Sequence, residues 1–356
     1  SIGSSICRAV MAHAPAKLVI YEMSEFALYS IERELREWLE NKGGRTQLVG
    51  VLGSVLDAAS IDRAIEAHGI DIIYHAAAYK HVPLVEINPI AGANNNIFGT
   101  LNVVEAARRH GVGKFVLIST DKAVRPTNVM GASKRVAEKL IQALGQEEAG
   151  ASRRGNGAAR TAFAIVRFGN VLDSAGSVVP LFREQIRRRG PVTVTDPNVV
   201  RYFMTIPEAA ELVIQAGAMA SGNGDVFHLD MGAPVNVAEL ARKLIHLSGF
   251  SVREPGSETG DIEIRFIGLR PGEKLYEELL VDGKSTPTKH PRIFGADVGT
   301  KDWAWIEPYL VRLRQVIDTH DVDGLINLLH QVVESYAEQR NTAPMVAGRI
   351  ALVAGD

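Results

Sequence analysis

The chain has 356 residues, of which 46% are hydrophobic and 22% charged, and 39 basic against 41 acidic residues give a formal net charge of −2. This composition excludes collagen-like, coiled-coil and intrinsically disordered chains, and the near-neutral charge indicates no nucleic-acid partner. The single Cys7 excludes an internal disulfide and a cysteine zinc site, and we predict no metal centre. We find no signal peptide, and no apolar run approaches the roughly 18 residues that would suggest a membrane span.

Short runs rich in β-branched residues predict six buried strands, at 18–21, 47–52, 70–74, 115–119, 162–167 and 226–229. Helix-period segments lie between the early strands. Ser24 is the expected N-cap of one that runs to Gly43, and two others cover 95–109 and about 127–149. Strands that alternate with helices predict an α/β fold with a doubly wound, Rossmann-type parallel sheet.

The regular alternation decays after about residue 172, where helices are predicted near 177–189, 207–219, 236–248, 303–318 and 323–336. We therefore predict a Rossmann domain over 1–172, to which 205–232 return. A smaller α/β substrate-binding lobe is assigned to 173–204 and 233–338. The Gly-rich stretch 147–160 is expected to be a surface loop, and 339–356 a loose tail.

The first residues resemble the end of a dinucleotide-binding loop. Ser1, Ile2 and Gly3 precede a helical pattern, and such loops turn backbone N–H groups and a helix N-terminus toward a pyrophosphate. Glu22 ends the next strand, where a carboxylate binds ribose hydroxyls and favours NAD over NADP. The alternative is a chance turn with a surface glutamate. If the loop is real, its first strand and two glycines are expected upstream of Ser1, so the first strand of the sheet is missing from the chain.

The chemistry-bearing residues are concentrated at 118–126 and 130–134. Asp121 and Lys122 follow a predicted strand, and the carboxyl ends of strands are where open α/β sheets bind ligands. An adjacent acid and amine can divide proton-transfer work between them. Lys134 follows Met130 by one helical turn and shares its face. The alternative is a solvated Asp-Lys turn with a surface lysine.

The stretch STDKAVRPTNVMGASKRVAEK at 119–139 resembles the extended short-chain dehydrogenase/reductase superfamily. Within it, the stretch is most similar to the CapD-type polysaccharide biosynthesis proteins, the UDP-N-acetylglucosamine 4,6-dehydratases, and to their Met-bearing, membrane-anchored subgroup. Further matches follow in order: HAAAYKHVPLVEINP (75–89), NNIFGTLNVVEAA (95–107), VRFGNVL (166–172), GSVVPLF (176–182), RYFMTIPEAAELV (201–213) and LRPGEKLYEELL (269–280). The resemblance covers about residues 1–285.

The resemblance implies an internal redox cycle on a UDP-N-acetylhexosamine, with NAD as cofactor. Hydride leaves C4 of the sugar, water is lost across C5 and C6, and the hydride returns to C6. The expected product is the 4-keto-6-deoxy sugar, for surface polysaccharide or glycan biosynthesis. The family further suggests a homo-oligomer, located in the cytoplasm or on the cytoplasmic face of the inner membrane.

The resemblance also implies roles for individual residues. Lys122 abstracts the C5 proton, which requires a depressed pKa. Asp121 protonates the departing C6 hydroxyl, and Thr120 binds the C4 oxygen. Lys134 binds the nicotinamide ribose. Met130 replaces the usual Tyr of the helix signature and has no proton to exchange, so Asp121 is also a candidate acceptor of the C4 hydroxyl proton.

The remaining candidates are assigned to the two ligands. Those expected to line the cofactor site, besides Ser1, Ile2, Gly3, Glu22 and Lys134, are Ser24, Ser54, Val55, Ala76, Ala77, Ala78, Asn96 and Ser119. Those expected to bind the nucleotide sugar are Lys80, His81, Asn170, Arg201, Arg270 and Glu273. For the two arginines the reason is the planar guanidinium, which pairs with phosphate oxygens.

Two other functions remain open from the sequence. One is a nucleotide-sugar C4 epimerase on the same scaffold, which needs no Asp-Lys dehydration pair. The other is a cofactor-binding subunit without turnover, which Met130 favours and the retained Asp121, Lys122 and Lys134 disfavour.

Overall fold

The computed structural model describes residues 1–153, 161–253, 257, 259–278 and 285–336. The helices are α1 Ile2–Ala12, α2 Glu25–Lys42, α3 Ala58–His68, α4 Val82–Ile87, α5 Pro89–Ala93, α6 Gly99–Arg109, α7 Val129–Arg153, α8 Val178–Arg187, α9 Ile206–Met219, α10 Val237–Leu247, α11 Trp303–Asp318 and α12 Val322–Val332. A π-helical turn, Asn94–Phe98, precedes α6. Within the described residues, no helix is both long and apolar enough to cross a bilayer.

The strands are β1 Lys17–Glu22, β2 Gln47–Leu52, β3 Ile72–His75, β4 Lys114–Thr120, β5 Ala162–Phe168, β6 Asn170–Val171, β7 Val192–Val194, β8 Val200–Arg201, β9 Phe203–Met204, β10 Asp225–Leu229, β11 Val235–Asn236, β12 Val252–Arg253, β13 Ile262–Phe266, β14 Ser285–Pro287 and β15 Ile293–Ala296. All six predicted strands are present, within a few residues of the expected bounds.

The main sheet has six strands in the order β14-β15-β10-β5-β4-β3. Strands β3, β4, β5 and β10 are parallel, and β15 and β14 extend the sheet antiparallel. The centre of β4, from Phe115 to Ser119, is buried, as expected for a parallel strand covered by helices on both faces. The predicted α/β fold with a mainly parallel sheet is therefore confirmed.

Strands β1 and β2 form a separate parallel pair. Within the described residues, β1 pairs only with β2, and β3 only with β4. A cavity of about 1500 Å³ lies between them, lined by residues of β1, β3 and α1 and continuing to the carboxyl end of β4. The first strand that the sequence analysis expected upstream of Ser1 stays a prediction.

The second lobe has its own small core. Strands β12, β13 and β7 form a parallel sheet, against which α8 and α10 pack. Phe182 and Ile245 from the helices meet Val192 and Ile264 from the strands. The segment that follows β13 contacts the residues after β4, through Gly272, Lys274 and Glu277, so the site described below is built from both parts.

The structure differs from the predicted organisation in two places. Helices α11 and α12 pack against α7, and β14 and β15 join the main sheet, although the sequence assigned 233–338 to the substrate-binding lobe. The cause is burial: Ile306, Leu310 and Leu325 share one core with Leu140 and Leu144 of α7. The predicted loop at 147–160 is helical to Arg153, because α7 is longer than expected. Its remainder and the predicted tail at 339–356 lie outside the described residues.

Candidate active site

The cavity brings together most of the residues that the sequence singled out. Those that line it are Ser1, Ile2, Gly3, Glu22, Val55, Ala76, Ala77, Ala78, Lys80, His81, Ser119, Thr120, Lys122, Met130, Lys134 and Asn170. They come from the starts of α1 and α7 and from the carboxyl ends of β1, β2, β3, β4 and β5, or the loops that follow these strands. In an open α/β sheet this is the edge at which ligands bind.

One end of the cavity has the features of a dinucleotide site. Helix α1 begins at Ile2 without a side-chain cap, and its first residues line the cavity. Its first N–H groups therefore have no side-chain acceptor and are available to an anion. A Cβ placed on Gly3 would lie 3.9 Å from the Cβ of Ala76. Glu22 is oriented at the end of β1, because its Oε1 accepts a hydrogen bond of 2.9 Å from the backbone N–H of Ser24. Ser24 itself caps α2 rather than lining the cavity, since its hydroxyl accepts from the N–H of Ala27.

The Asp-Lys pair lies on the turn that follows β4. Thr120 begins this turn, and its hydroxyl accepts from the N–H of Lys122 and donates to Asp121 Oδ1 at 2.9 Å. Lys122 Nζ donates to the same Oδ1 at 3.0 Å. The Asp121 side chain is fully buried, and its Oδ2 has no hydrogen-bond partner among the described residues. One carboxylate oxygen therefore holds the lysine, and the other has no donor among the described residues. Asp121 itself is not among the residues that line the cavity.

The environment of Lys122 corrects the expectation of a depressed pKa. Burial alone would lower the pKa of Lys122, but the carboxylates of Asp121 and Glu277 outweigh this effect and raise it. Glu277 Oε1 lies 3.5 Å from Lys122 Nζ, and Asn170 Oδ1 accepts a hydrogen bond from the same nitrogen at 3.2 Å. Lys122 is accordingly an ammonium ion in this arrangement, and it must lose a proton before it can act as a base.

Helix α7 presents Met130 and Lys134 to the cavity. Lys134 Nζ donates a hydrogen bond of 2.6 Å to the carbonyl of Ile118, and burial lowers the pKa of this amine to about 8. The helix approaches the Asp-Lys turn closely through Gly131, where an added Cβ would lie 2.2 Å from the carbonyl oxygen of Lys122. Glycine is therefore required at this point of contact.

A buried charge cluster holds α7 on the sheet. Glu138 of α7 accepts two hydrogen bonds from Arg167 of β5, at 2.7 and 2.6 Å, and others from Arg135 and the hydroxyl of Ser119. Burial would raise the pKa of Glu138, but Arg167 and the other donors outweigh it and lower this pKa to about 2. Ser119, predicted to bind the cofactor, thus has its hydroxyl engaged with Glu138.

Two other predicted cofactor residues make structural contacts. The amide of Asn96 exchanges hydrogen bonds with the backbone of Tyr79 and donates to Ser133, which fixes the loop after β3 against α7. The carbonyl of Ser54 accepts from the Tyr21 hydroxyl, and its own hydroxyl accepts from a neighbouring backbone N–H. Neither side chain is in the cavity lining given by the described residues.

On the substrate side, Lys80 and His81 project from the loop after β3. Partial burial and the positive charge of Lys122 both lower the pKa of Lys80. Burial and then Lys80 lower the pKa of His81, whose ring lies against Gly176. The pair can offer an anion one charged amine and one imidazole at the mouth of the cavity.

Arg201, Arg270 and Glu273 were predicted to bind the nucleotide sugar. They contact one another but are not among the residues that line the cavity. Glu273 Oε1 accepts from Arg201 at 3.2 Å and from the Thr195 hydroxyl at 3.0 Å, while its Oε2 accepts from the N–H of Arg270. The Arg201 guanidinium also donates to the carbonyl of Leu275. The side chain of Arg270 is exposed. Binding of pyrophosphate and uridine by this group stays a prediction.

Sequence reasoning missed Glu277, Glu138 and Gly131. Glu277 is one of several glutamates in the 269–280 motif, and no spacing shows that it alone reaches Lys122. The i,i+3 and i,i+4 relations of Glu138 to Arg135 and Lys134 were a weak signal of a buried pair. Gly131, next to the predicted Met130, was a sign of close backbone approach.

Comparison with known proteins agrees with this architecture. The profile of a family described as "Polysaccharide biosynthesis protein" matches residues 1–298. The capsular polysaccharide biosynthesis protein CapD of Staphylococcus aureus is 51% identical over 280 residues, which are 79% of this chain and 43% of CapD. The chain thus spans less than half the length of that relative.

Two further similarities concern proteins of comparable length. A UDP-glucose 4-epimerase of Rickettsia canadensis is 35% identical over 276 residues, 78% of this chain and 74% of the epimerase. The X-ray structure of Pen from Bacillus thuringiensis is 33% identical and superposes with a TM-score of 0.70 over 85% of this chain and 88% of Pen.

Proposed function

The chain belongs to the polysaccharide biosynthesis protein family, and from this premise we propose that it is an NAD-dependent nucleotide-sugar 4,6-dehydratase. Its substrate is a UDP-N-acetylhexosamine, with UDP-N-acetylglucosamine as the first candidate, and its product is the 4-keto-6-deoxy sugar. We place the reaction in the cytoplasm, as the resemblance to membrane-anchored dehydratases implies.

The observation that carries the proposal is the Asp121–Lys122 pair. Its amine is in the cavity lining, at the carboxyl end of β4, and the two side chains are 3.0 Å apart. Elimination of water needs a base at C5 and an acid at C6, on neighbouring atoms of one sugar. Two adjacent groups of opposite type, one with a free buried oxygen, suit that task.

The residues present fit a dinucleotide. The exposed start of α1 can receive the pyrophosphate, Glu22 the adenosine ribose, and Lys134 the nicotinamide ribose. When bound, NAD supplies the reversible hydride transfer. The protein's part is to hold the sugar and move its protons.

Residues of this chain can carry out the proton transfers to and from the sugar that the proposed reaction requires. With Met130 in place of a hydroxyl, the carboxylate of Asp121 accepts the C4 hydroxyl proton while Thr120 binds the C4 oxygen. The protonated Asp121 then gives this proton to the C6 hydroxyl, which leaves as water. Neutral Lys122 takes the C5 proton during elimination and returns it to C5 afterwards. Protonation of Asp121 removes the nearer of two carboxylates that hold Lys122 charged, so the first step favours the second.

The alternative is a C4 epimerase, which the 35% identity to a UDP-glucose 4-epimerase favours. Epimerisation requires neither an acid at C6 nor a base at C5, so Lys122 would have no task in it, and Asp121 would serve only as acceptor of the C4 hydroxyl proton. The absence of a hydroxyl at Met130 disfavours either reaction equally, because both begin with loss of the C4 hydroxyl proton.

Incubation with NAD and UDP-N-acetylglucosamine tests the proposal. We expect a product lighter by one water, with the NMR signal of a C6 methyl group. The variant Asp121→Asn should abolish this product, whereas Glu184→Gln, on the exposed face of α8, should not. A 4-epimer of unchanged mass would establish the epimerase instead. Bound NAD without turnover of any UDP-hexosamine would favour a cofactor-binding subunit.

A further inference from the structure

Lys122 lies between two carboxylates that come from different parts of the chain. Asp121 Oδ1 lies 3.0 Å from its Nζ, and Glu277 Oε1 lies 3.5 Å from the same atom. Both acidic side chains are almost completely buried, with 0% and 4% of their surface exposed. The ammonium is thus held in a bridge that connects the turn after β4 with the second lobe.

The backbone before Glu277 is fixed to the active-site turn at several points. The Thr127 hydroxyl and the Asn128 amide both donate to the carbonyl of Gly272. Lys274 Nζ donates to the carbonyl of Val124 at 3.1 Å. These contacts set the distance of Glu277 from Lys122 independently of the ion pair itself.

The carboxylates of Asp121 and Glu277 each use only one of their two oxygens to contact Lys122. Among the described residues, Asp121 Oδ2 and Glu277 Oε2 are buried and have no hydrogen-bond partner. A buried carboxylate oxygen without a donor is costly, and protonation of that carboxylate removes part of the cost. Glu277 can therefore accept a proton without breaking an existing hydrogen bond at Oε2.

We propose that Glu277 is a positioning residue that holds Lys122 against Asp121 and takes the resting proton of Lys122 when Asp121 becomes protonated. The inference rests on the proposed function. The N–H bond of the ammonium breaks, an O–H bond forms on Glu277, and Lys122 is left as the neutral amine that removes the C5 proton. After the C5 proton has been returned to the sugar, Glu277 gives its proton back, so the cycle neither gains nor loses a proton.

The charges around Lys122 agree with this role. Asp121 and Glu277 favour the ammonium, while burial and Arg201 favour the amine. Lys80 is the other cation that interacts with Lys122 across the cavity. Neutralising Glu277 removes one of the two carboxylates that raise the pKa of Lys122, so it should make Lys122 easier to deprotonate.

The test compares Glu277→Gln with Glu278→Gln, whose carboxylate instead pairs with Arg125 and Lys274 at the surface. Lys122 is labelled with formaldehyde and a borohydride reductant across a pH series, and the extent is read by peptide mass spectrometry. Only the neutral amine reacts, so no turnover is needed. We expect the midpoint for Glu277→Gln to fall by about one pH unit or more, and that for Glu278→Gln to stay unchanged.

Kinetics supply the second readout. For Glu277→Gln we expect kcat to fall by about tenfold or more with KM nearly unchanged, and Glu277→Asp to restore part of the rate. An unchanged labelling midpoint in folded Glu277→Gln would overturn the inference, as would a raised KM with normal kcat. If the wild-type protein dehydrates no UDP-hexosamine, the proposed function fails, but the labelling midpoint still decides whether Glu277 controls Lys122.

Discussion

At the scale of single residues, the site depends on Lys122, an ammonium that lies 3.0 Å from Asp121 and 3.5 Å from Glu277. Asp121 and Lys122 are neighbours in the chain, so their contact follows from position alone. Glu277 approaches from the second lobe through tertiary packing, and Asp121 and Glu277 together reverse the expected direction of the Lys122 pKa shift. Arg201 and Glu273 likewise pair with each other, a contact between distant segments that no spacing predicts.

The base role of Lys122 predicts a separation of two chemical steps. In a single turnover by Lys122→Ala, we expect a sugar two hydrogens lighter, the 4-keto form, with no loss of water, because oxidation at C4 does not need this amine. Rapid quenching followed by mass spectrometry measures both species. Lys114→Ala, at the opposite end of β4, is the matched control and should dehydrate normally. Normal dehydration by Lys122→Ala would reject the base assignment.

At the scale of elements, helix α7 positions Met130 and Lys134 in the site and is fixed by the Glu138 cluster. Sequence periodicity predicted this helix, and Gly131 lets it approach the Asp-Lys turn. The partners of Glu138 could not be predicted, because Arg167 and Ser119 reach it from two strands. The sequence periodicity also could not predict that α11 and α12 pack on α7, because the apolar face of a helix does not show which element it will contact.

We expect Glu138→Gln to lower the free energy of unfolding by about 3 kcal/mol or more, because it leaves the buried Arg167 without its counter-charge. Urea unfolding at neutral pH measures this loss. Glu184→Gln, on a surface helix, should change little.

The Glu138–Arg167 ion pair also predicts that the free energy of unfolding depends on pH. The folded-state pKa of Glu138 is about 2, below its ordinary value of 4.5, so its contribution is complete above pH 4.5 and is lost as the pH falls toward 2. The wild type should lose roughly 3 kcal/mol over this range that Glu138→Gln does not lose. Parallel acid-unfolding curves for the two proteins would contradict the assignment.

At the scale of the whole molecule, alternation of strands and helices was enough to predict the fold class and the edge where the site lies. It could not predict that β14 and β15 extend the main sheet, because strands of three and four residues are too short to show a period. The separation of β1 and β2 from that sheet leaves the cavity that contains the cofactor and substrate candidates. The site therefore depends on the relative placement of the two sheets.

The central claim is that one sugar is oxidised, dehydrated and reduced within the same cavity. Its most direct test is UDP-N-acetylglucosamine labelled with deuterium at C4, with the product analysed by NMR. We predict that the deuterium appears on the C6 methyl group of the 4-keto-6-deoxy sugar. Deuterium found at C4 of an epimer, or a product without transferred label, would contradict the account.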